Sequence, residues 1–230
     1  MSKIYFISDL HFGHDRNFIY EKRGYKNIYE MNEDLIKKWN SIVEPEDDIY
    51  VLGDLMLGPE ENVKCIKQLK GSIHIILGNH DSSARQELYN KCYNVVEVVY
   101  ATQIKYNKQV LYLSHYPTLC ANYDDDKPLK AKVINICGHT HTFDPFCDWE
   151  KGLIYHVEIE AQNGYPIEIE DMLEQIRKRF YSNRESAAPA IPDLRRCWKC
   201  VYDMRYCNET DYNGQCIKYK KDPPDGGFYG

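Results

Sequence analysis

Short apolar runs alternate with amphipathic segments through the first part of the chain. Runs of apolar residues at 3–8, 48–52 and 73–77 predict three buried strands. Between the first two runs, Leu35 and Trp39 belong to a series of apolar positions spaced three or four residues apart, which predicts an amphipathic helix. This alternation predicts a β-α-β-α-β-α series, which is typical of a mostly parallel sheet.

Polar, proline and glycine residues set the expected limits of the helices. Asn32 is predicted to cap the first helix, while Pro59 and Gly71 are predicted to begin and end the second. Asp81 is predicted to cap a third helix over 82–91. Each of the three strands is therefore followed by one helix.

The pattern changes after residue 94, where strand signals follow one another closely. Asn107-Lys108 is predicted to join two of these strands as a two-residue hairpin turn. The predicted elements are strands at 95–100, 102–106, 109–114, 132–137 and 153–159 and a closing helix at 168–181. A second sheet, more antiparallel than the first, is expected to pack on it with helices outside. The expected fold is an α/β protein with a four-layer α/β/β/α sandwich.

A change in composition marks the C-terminal end of this domain. The stretch SNRESAAPAIPD at 182–193 is small, polar and proline-bearing, which predicts a linker. We therefore expect an α/β domain over residues 1–181 and a small Cys-rich appendage over residues 194–230.

The overall composition is that of a soluble globular protein, with 43% hydrophobic and 28% charged residues. The longest apolar runs are far below the roughly 18 residues needed to cross a bilayer. The N-terminal sequence MSKIYFISD lacks the features of a secretory signal. The sequence therefore favours a cytoplasmic protein without a membrane partner.

The net charge of −6 is unevenly distributed. Residues 176–230 contain eleven Lys/Arg against seven Asp/Glu, a local charge of +4 that leaves −10 for residues 1–175. An acidic main body argues against stable binding of a nucleic-acid backbone, which needs a basic surface. Small phosphorylated substrates stay open, because bound metal ions would supply local positive charge.

Five segments rich in Asp, Asn and His each follow directly on a predicted strand. They are Asp9-Leu10-His11, Gly53-Asp54, Gly78-Asn79-His80-Asp81, Ser114-His115 and Gly138-His139-Thr140-His141. Functional groups of open α/β sheets lie beyond the carboxyl ends of the strands, so these side chains are expected to converge on one site. Carboxylate, amide and imidazole groups suit hard or borderline divalent ions, and their number suffices for two ions.

These segments resemble the signature of a known family. The order D-x-H, G-D, G-N-H-D, H and G-H-x-H is similar to that of the calcineurin-like metallophosphoesterase superfamily, over about residues 1–175. The strings DLHFGH and MNEDLIKKWN resemble a subgroup of small bacterial and phage-encoded members. The resemblance implies a dinuclear metal-dependent phosphoesterase, with Mn²⁺ favoured and Fe, Ni or Zn as alternatives.

The resemblance also implies a set of ligands for each metal ion. One ion is expected on Asp9, His11, Asp54 and His141, and the other on Asp54, Asn79, His115 and His139. Asp54 would then bridge the two ions, and a hydroxide between them would attack phosphorus in line. His80 is expected to protonate the leaving oxygen or to stabilise its charge. Asp81 is expected mainly to cap the following helix, and secondarily to orient the His80 ring.

The resemblance leaves the substrate and even the class of function open. Small members of the superfamily favour a phosphodiester, here a small or nucleotide-like one, and a phosphomonoester or phosphoprotein is the alternative. The rival class is a non-catalytic scaffold, because the same fold is reused for protein interaction. Such a scaffold would be expected to have lost a metal ligand or His80, and none of these residues is missing.

Two further residues are candidates for substrate contacts. His14 shares a predicted loop with two of the ligands, where it could contact a phosphate, support a ligand or simply pack. Arg23 lies between the first strand and the first helix, either as a phosphate-facing guanidinium or as a solvated surface residue. His74 and His156 fall inside predicted strands and are expected to be structural.

The nine cysteines fall into two groups. Cys197, Cys200, Cys207 and Cys216 form the pattern C-x2-C-x6-C-x8-C, which suits a structural zinc, with disulfides or free thiols as alternatives. This tail is too short to build a core of its own, and it could mediate protein contact or oligomerisation. The others are expected to be buried reduced thiols: Cys65, Cys92, Cys120, Cys137 and Cys147.

Overall fold

The structure, a computed structural model, describes residues 2–120 and 127–186 of the chain. Its strands are β1 (Ile4–Ile7), β2 (Asp48–Leu52), β3 (Ser72–Ile76), β4 (Val95–Val99), β5 (Ala101–Tyr106), β6 (Gln109–Ser114), β7 (Val133–Cys137), β8 (Ile154–His156) and β9 (Ile167–Glu168). Its α-helices are α1 (Asn17–Tyr20), α2 (Ile28–Ile42), α3 (Val63–Ile66), α4 (Ser83–Tyr89), α5 (Trp149–Gly152) and α6 (Ile169–Ser186). Both sheets belong to one compact unit, Met1–Arg177.

The first sheet has the strand order β4-β3-β2-β1-β9. Its first four strands are parallel, and β9 is antiparallel to β1. The prediction of a mostly parallel sheet from the β-α-β-α-β-α series is confirmed. Because β1, β2 and β3 are parallel neighbours, their carboxyl ends meet at one edge of the sheet.

The second sheet has the order β5-β6-β7-β8, and it is not mainly antiparallel as expected. Only β5 and β6 are antiparallel, and they are joined by the Asn107-Lys108 turn, where both residues have the positive φ that a type I′ turn requires. The pairs β6–β7 and β7–β8 are parallel. Each of those connections contains more than a dozen residues, enough for the crossover that parallel neighbours need.

The sequence spacing grouped β4 with the strands that follow it, but β4 completes the first sheet. It pairs in parallel with β3, with Ile75 opposite Val98. The chain passes from one sheet to the other at Tyr100, between two strands that are adjacent in the sequence. Close spacing along the chain therefore did not indicate a shared sheet.

Helix α2 begins one turn earlier than predicted. The cap is Asn27, whose side chain accepts a hydrogen bond from the backbone N–H of Glu30 at 2.9 Å. Asn32 lies inside the helix, where its side-chain oxygen accepts the N–H of Gly13 at 3.3 Å. The added turn buries Ile28 and Met31, which explains why the helix extends beyond Asn32.

Both faces of the first sheet are buried. One face packs against α2 through a cluster that includes Ile7, Val51 and Ile75 from the strands and Leu35 and Trp39 from the helix. The opposite face buries the alternate strand residues, namely Phe6, Leu52 and Ile76. Strands buried on both sides read as nearly continuous apolar runs, which is the pattern the sequence shows.

The last described element, α6, runs to Ser186 and so continues past Tyr181, where it was predicted to end. The first residues of the predicted linker at 182–193 are therefore helical. The rest of that linker and the four tail cysteines, Cys197, Cys200, Cys207 and Cys216, lie outside the described residues. None of the described helices combines the length and the apolar character needed to cross a membrane.

Candidate metal centre

The five polar segments converge at the carboxyl ends of five strands, as the sequence predicted. The segments with Asp9, Asp54 and Asn79 follow β1, β2 and β3, which are parallel neighbours in the first sheet. The segments with His115 and His139 follow β6 and β7, which are parallel neighbours in the second sheet. The two sheets meet at this edge, where Ser8 N–H donates to the carbonyl of Val157 at 3.0 Å.

Asp9, His11 and His141 form the first group of candidate ligands. The Nε2 atoms of His11 and His141 lie 3.3 Å apart. Asp9 Oδ1 lies 3.9 Å from the first of these nitrogens and 3.8 Å from the second. Atoms that bind one ion at about 2.1 Å are separated by about 3–4 Å, so the three atoms are spaced as ligands of a single cation.

Asn79, His115 and His139 form a second group. The Asn79 Oδ1 atom lies 2.9 Å from His115 Nε2 and 3.0 Å from His139 Nδ1, and the two nitrogens are 3.2 Å apart. His115 Nδ1 donates to the carbonyl of Leu52 at 2.8 Å, which leaves its Nε2 lone pair directed at the group. An amide oxygen and two imidazole nitrogens again provide the donors that a divalent ion accepts.

Asp54 lies between the two groups. Its Oδ2 atom is 3.8 Å from His11 Nε2 in the first group and 3.7 Å from His115 Nε2 in the second. Its other oxygen, Oδ1, accepts the backbone N–H of His80 at 2.9 Å, which fixes the carboxylate plane. The position of Asp54 is therefore the one required of a carboxylate that two ions share.

Several of these ligands have backbones in the left-handed region. Nine non-glycine residues of the described chain have positive φ. Five of them are candidate ligands: Asp9 (φ 58°), His11 (52°), Asp54 (53°), His139 (80°) and His141 (51°). Each such backbone costs about 1–2 kcal/mol for a residue with a side chain. Strain concentrated in this way is typical of a site whose side chains are held in fixed directions.

Two glycines of the motifs are required by close approach to the ligands. A Cβ atom on Gly78 would collide with Asp54 Oδ1, and one on Gly138 would collide with Asp9 Oδ2. The backbone therefore passes too close to both carboxylates for any side chain at these positions. This explains the glycines in G-N-H-D and G-H-x-H.

The charges at the site favour a bound cation. Asp9 is fully buried, and among the described residues its Oδ1 has no hydrogen-bond donor. Burial raises the pKa of Asp9 to about 6, although His115 and His141 oppose the shift. Burial and the nearby Arg23 guanidinium lower the pKa of His11, which keeps its ring neutral and able to bind a metal. The donors suit divalent ions, and a bound cation would compensate the buried Asp9 carboxylate, which the neutral His11 ring does not.

Asp81 does not cap the helix that follows it, contrary to the prediction. Ser82 is the residue that precedes α4, and no side-chain cap is formed there. The Asp81 carboxylate instead accepts the N–H groups of Gly78 at 2.8 Å and Asp54 at 3.0 Å and the hydroxyl of Tyr89 at 2.6 Å. Asp81 thus ties two ligand-bearing loops together, because buried carboxylates need such donors.

We expect Tyr89→Phe to lower the free energy of unfolding by about 1–3 kcal/mol, because it leaves Asp81 Oδ1 buried without its donor. Urea denaturation of the metal-free protein measures this loss. Tyr93→Phe is the matched control, since the exposed Tyr93 hydroxyl donates to the carbonyl of Lys67 at 3.0 Å and should cost less than about 0.5 kcal/mol. Equal effects of the two substitutions would contradict the role of Asp81.

Arg23 is buried against the backbone of the loop that carries Asp9 and His11. The expectation of a phosphate-facing or solvated side chain is therefore wrong. Its side chain is only 6% exposed. The guanidinium donates to the carbonyls of Asp9 at 2.8 Å and Leu10 at 3.2 Å, and to Glu160 at 2.8 Å. Glu160 Oε1 also lies 3.0 Å from Nδ1 of His141. Arg23 and Glu160 therefore connect two ligand-bearing segments.

The charge of Glu160 and those of Arg23 and His141 stabilise one another. Burial would raise the pKa of Glu160, but its hydrogen bond with His141 and the charge of Arg23 lower it below the ordinary value. Burial would lower the pKa of His141, but the hydrogen bond to Glu160 and the nearby Asp9 raise it. A proton on His141 Nδ1 directs the Nε2 lone pair toward His11 and Asp9.

His14 and His80 lie at the border of the centre. The His14 ring is 5.5 Å from that of His11 and packs edge-on against Phe18, so it lies beside the candidate ligands. His80 Nε2 lies 3.9 Å from Asp54 Oδ2, and its side chain is 42% exposed. His80 is therefore next to the carboxylate between the two groups and open to solvent.

Glu160 was not identified from the sequence, although a signal was present. It ends the stretch HVEIE, where apolar and acidic residues alternate directly after β8. The rule that identified the five segments, polar residues at the end of an apolar strand, applies equally to this sixth strand end. Glu158 of the same stretch is fully buried beside the loop that carries His139 and His141, with Oε1 2.9 Å from the hydroxyl of Thr140.

Comparison with known proteins identifies relatives of this arrangement. A family model described as the calcineurin-like phosphoesterase superfamily domain matches residues 2–157. An uncharacterized protein of Methanocaldococcus jannaschii is 32% identical over 185 residues, which cover 77% of this chain and 93% of its own length. The gene 66 protein of Mycobacterium phage L5 is 30% identical over 166 residues, which cover 62% of this chain and 79% of its own length.

A solved structure shares the fold. It is that of a protein of unknown function from Aquifex aeolicus, which is 22% identical to this chain with a TM-score of 0.59. The match covers 76% of this chain and 100% of that chain. The match therefore shows a shared fold over about three quarters of this chain.

Proposed function

Because the chain belongs to the calcineurin-like phosphoesterase superfamily, we propose that it hydrolyses a phosphodiester with the help of two divalent metal ions. The observation that carries the proposal is the position of Asp54 Oδ2, 3.8 Å from His11 Nε2 and 3.7 Å from His115 Nε2. One carboxylate oxygen thus lies between two separate groups of nitrogen and oxygen donors. A dinuclear centre needs a shared ligand of this kind.

The proposed ligands follow from the two groups. Asp9, His11, Asp54 and His141 would hold one ion, and Asp54, Asn79, His115 and His139 the other. When bound, the ions would activate water as a nucleophile and neutralise charge on the phosphoryl oxygens. We favour Mn²⁺ from the family resemblance, with Fe, Ni or Zn as alternatives, because carboxylate and amide oxygens suit Mn²⁺ and imidazole nitrogens suit the other three.

The protein's own groups would position the substrate and handle the leaving group. The His80 ring faces the open side of the centre, so a proton on its Nε2 can pass to the departing oxygen. The backbone N–H of His80 donates to Asp54, which fixes the backbone that carries the ring beside the shared carboxylate. Asp81 would act on catalysis through Asp54 and Gly78 rather than through the His80 ring.

The surroundings of the centre support a small, nucleotide-like diester. Tyr116 is 49% exposed and lies edge-on to His139, with ring centroids 4.7 Å apart. Phe18 is 59% exposed beside His14. Exposed aromatic rings at the opening of the site offer stacking surfaces for a base or another flat group. His14 would then contact the substrate, whereas the acidic body disfavours long nucleic acids.

Other features of the chain are proposed from the sequence pattern. The two sheets and their helices would form the four-layer α/β/β/α sandwich, and residues 1–181 the catalytic domain. Residues 194–230 would be a zinc-stapled tail that contacts protein partners or mediates oligomerisation. We also propose a cytoplasmic location, where the cysteines of the chain would stay reduced.

The decisive experiment measures hydrolysis of bis-p-nitrophenyl phosphate and of p-nitrophenyl phosphate by the metal-free protein after addition of Mn²⁺. We expect metal-dependent turnover, with the diester hydrolysed faster than the monoester. Faster monoester turnover would support a phosphomonoesterase or phosphoprotein phosphatase. Failure to turn over either ester with Mn²⁺, Fe²⁺, Ni²⁺ or Zn²⁺ would support a scaffold that binds partners without catalysis.

We expect Glu160→Gln to weaken Mn²⁺ binding about 10- to 100-fold, because the neutral amide no longer fixes the proton on His141 Nδ1. Titration calorimetry of the metal-free protein measures this affinity directly. Glu168→Gln is the control, since Glu168 pairs with Lys3 at the surface, at 2.7 Å. An unchanged Mn²⁺ affinity in Glu160→Gln would show that His141 does not depend on Glu160.

A further inference from the structure

Cys147, Asp148 and His156 form another group of potential metal ligands. Their sulfur, carboxylate oxygen and imidazole nitrogen all lie within 4.8 Å of one another. None of the three belongs to the ligand sets proposed above. Cys147 is also exposed, whereas a buried thiol was expected, and it forms no disulfide with the other described cysteines.

The local structure holds these side chains together. His156 is the last residue of β8 and is fully buried, while Cys147 and Asp148 directly precede α5. The backbone N–H of His156 donates to the carbonyl of Pro145 at 2.9 Å, which ties the strand to the turn that carries the other two residues. Trp149 at the start of α5 is buried, so the turn is fixed on its other side as well.

The hydrogen bonds of His156 leave one ring nitrogen directed at the group. Its Nδ1 atom lies 2.9 Å from Oε1 of the fully buried Glu158, and its Nε2 atom lies 3.2 Å from Asp148 Oδ2. When Nδ1 carries the proton, it donates to Glu158, and Nε2 has a lone pair directed at Asp148. The Nε2 lone pair and the Asp148 carboxylate are then two acceptors facing each other without a proton between them. Metal-binding histidines commonly have this arrangement, with a carboxylate behind the ring and the metal in front.

One buried oxygen beside His156 has no partner in the described structure. Two carboxylates, Asp148 and Glu158, flank the ring of His156, and the other oxygen of Asp148 is paired with Lys151 at 2.7 Å. Among the described residues, Oε2 of Glu158 is a buried oxygen without a hydrogen-bond donor. A second proton on the ring would pair it with both carboxylates and would leave the nearby Cys147 thiol outside the group. A divalent ion would engage the sulfur, the oxygen and the nitrogen together.

We propose that Cys147, Asp148 and His156 bind a zinc ion. One thiolate, one imidazole and one carboxylate suit borderline Zn²⁺ better than Mn²⁺ or Mg²⁺, which prefer oxygen donors. Three protein ligands complete three of the four positions of a tetrahedral ion and leave the fourth to water. The dinuclear ligand sets contain no sulfur, so the two kinds of site would differ in metal preference.

Such a site would support the loop that carries two of the proposed catalytic-metal ligands. The backbone N–H and the hydroxyl of Thr140, which lies between His139 and His141, both contact Glu158 Oε1, at 3.2 and 2.9 Å. The same hydroxyl lies 3.3 Å from Nδ1 of His156. Zinc on His156 would therefore fix the ring and carboxylate against which this loop rests.

The test compares full-length chains that differ by one side chain. The proteins compared are wild type, Cys147→Ser, Asp148→Asn and Cys120→Ser. Each is saturated with Mn²⁺, then exposed to Zn²⁺, and unbound metal is removed. Zinc per chain is measured by mass spectrometry. We expect Cys147→Ser and Asp148→Asn each to lose one zinc relative to wild type. Cys120 is a half-buried free cysteine outside the group, so its variant should retain the wild-type count.

Cobalt titration provides a second readout of the same ligands. A thiolate bound to Co²⁺ absorbs in the near ultraviolet, and this absorption should decrease in Cys147→Ser but not in Cys120→Ser. The tail cysteines are identical in both variants and cancel in the comparison, and circular dichroism verifies that each variant is folded. Wild-type zinc counts and cobalt spectra in Cys147→Ser, or unchanged zinc in Asp148→Asn, would overturn the site. Neither outcome depends on phosphoesterase turnover.

Discussion

Asp54→Asn should reduce bound Mn²⁺ from two ions per chain to at most one and should lower phosphodiester turnover at least about 10³-fold. In the proposed centre the Asp54 carboxylate holds both ions, and losing several kcal/mol of charge stabilisation corresponds to a rate factor of this size. An amide supplies one neutral oxygen where the carboxylate supplies a charge and two oxygens. Metal content by mass spectrometry and turnover of bis-p-nitrophenyl phosphate measure the two effects.

The fold should survive this substitution, which makes the result interpretable. An asparagine oxygen can still accept the backbone N–H of His80, and the N–H of residue 54 can still donate to Asp81. Asp48→Asn is a matched control at the opposite end of β2, where Asp48 pairs with His74 near the surface. The metal-free Asp54→Asn protein should unfold near the wild-type midpoint. Two tightly bound Mn²⁺ ions in this variant would exclude Asp54 as the shared ligand.

The position of the centre could be predicted because it depends on local sequence. Each candidate ligand lies within a few residues of a strand end, and the carboxyl ends of parallel strands meet at one edge. The family resemblance then supplied a separate expectation for each ligand. Asp54 and Asn79, for example, follow the two strands of one β-α-β unit, and the parallel register brings both segments to the same edge.

The supports of the centre could not be predicted because they join residues that are distant in the sequence. Arg23 and Glu160 are 137 positions apart, and no spacing rule connects them. An arginine in a loop is usually solvated, so its burial against the carbonyls of Asp9 and Leu10 is visible only in three dimensions. The predicted cap at Asp81 is wrong because partners outside the first turn of α4 bind its carboxylate. The Tyr89 hydroxyl and two backbone N–H groups compete for its carboxylate and outweigh the local preference for a cap.

The errors in the fold have a comparable physical origin. Both Asn27 and Asn32 can cap a helix, and the choice depends on whether Ile28 and Met31 find a buried partner. Strand direction in the second sheet depends on the length of each connection. The short β5–β6 turn suggested an antiparallel sheet, but the long connections after β6 and β7 allow parallel neighbours. Tertiary packing thus decided between alternatives that were locally almost equal.

His80→Ala should lower turnover about 10²- to 10⁴-fold while leaving two Mn²⁺ ions bound, because in the proposed mechanism the ring assists the leaving group and holds no ion. The ring is 42% exposed, so its removal leaves no buried cavity. The backbone N–H that bonds Asp54 Oδ1 is retained in alanine. A nitrophenolate leaves without a proton, whereas an alkoxide needs one, so the loss should be larger for a methyl than for a nitrophenyl leaving group.

The dependence on the leaving group separates an acid role for His80 from a ligand role. If His80 bound an ion, its removal would lower Mn²⁺ content and affect both leaving groups equally, as expected for Asp54→Asn. His74→Ala is the control, since His74 lies within β3 and pairs with Asp48 and Glu97 away from the ligands. Turnover of alkyl and nitrophenyl diesters by the three proteins, with Mn²⁺ counted in each, distinguishes the two roles. A steeper dependence on leaving-group pKa with intact metal content would establish His80 as the acid.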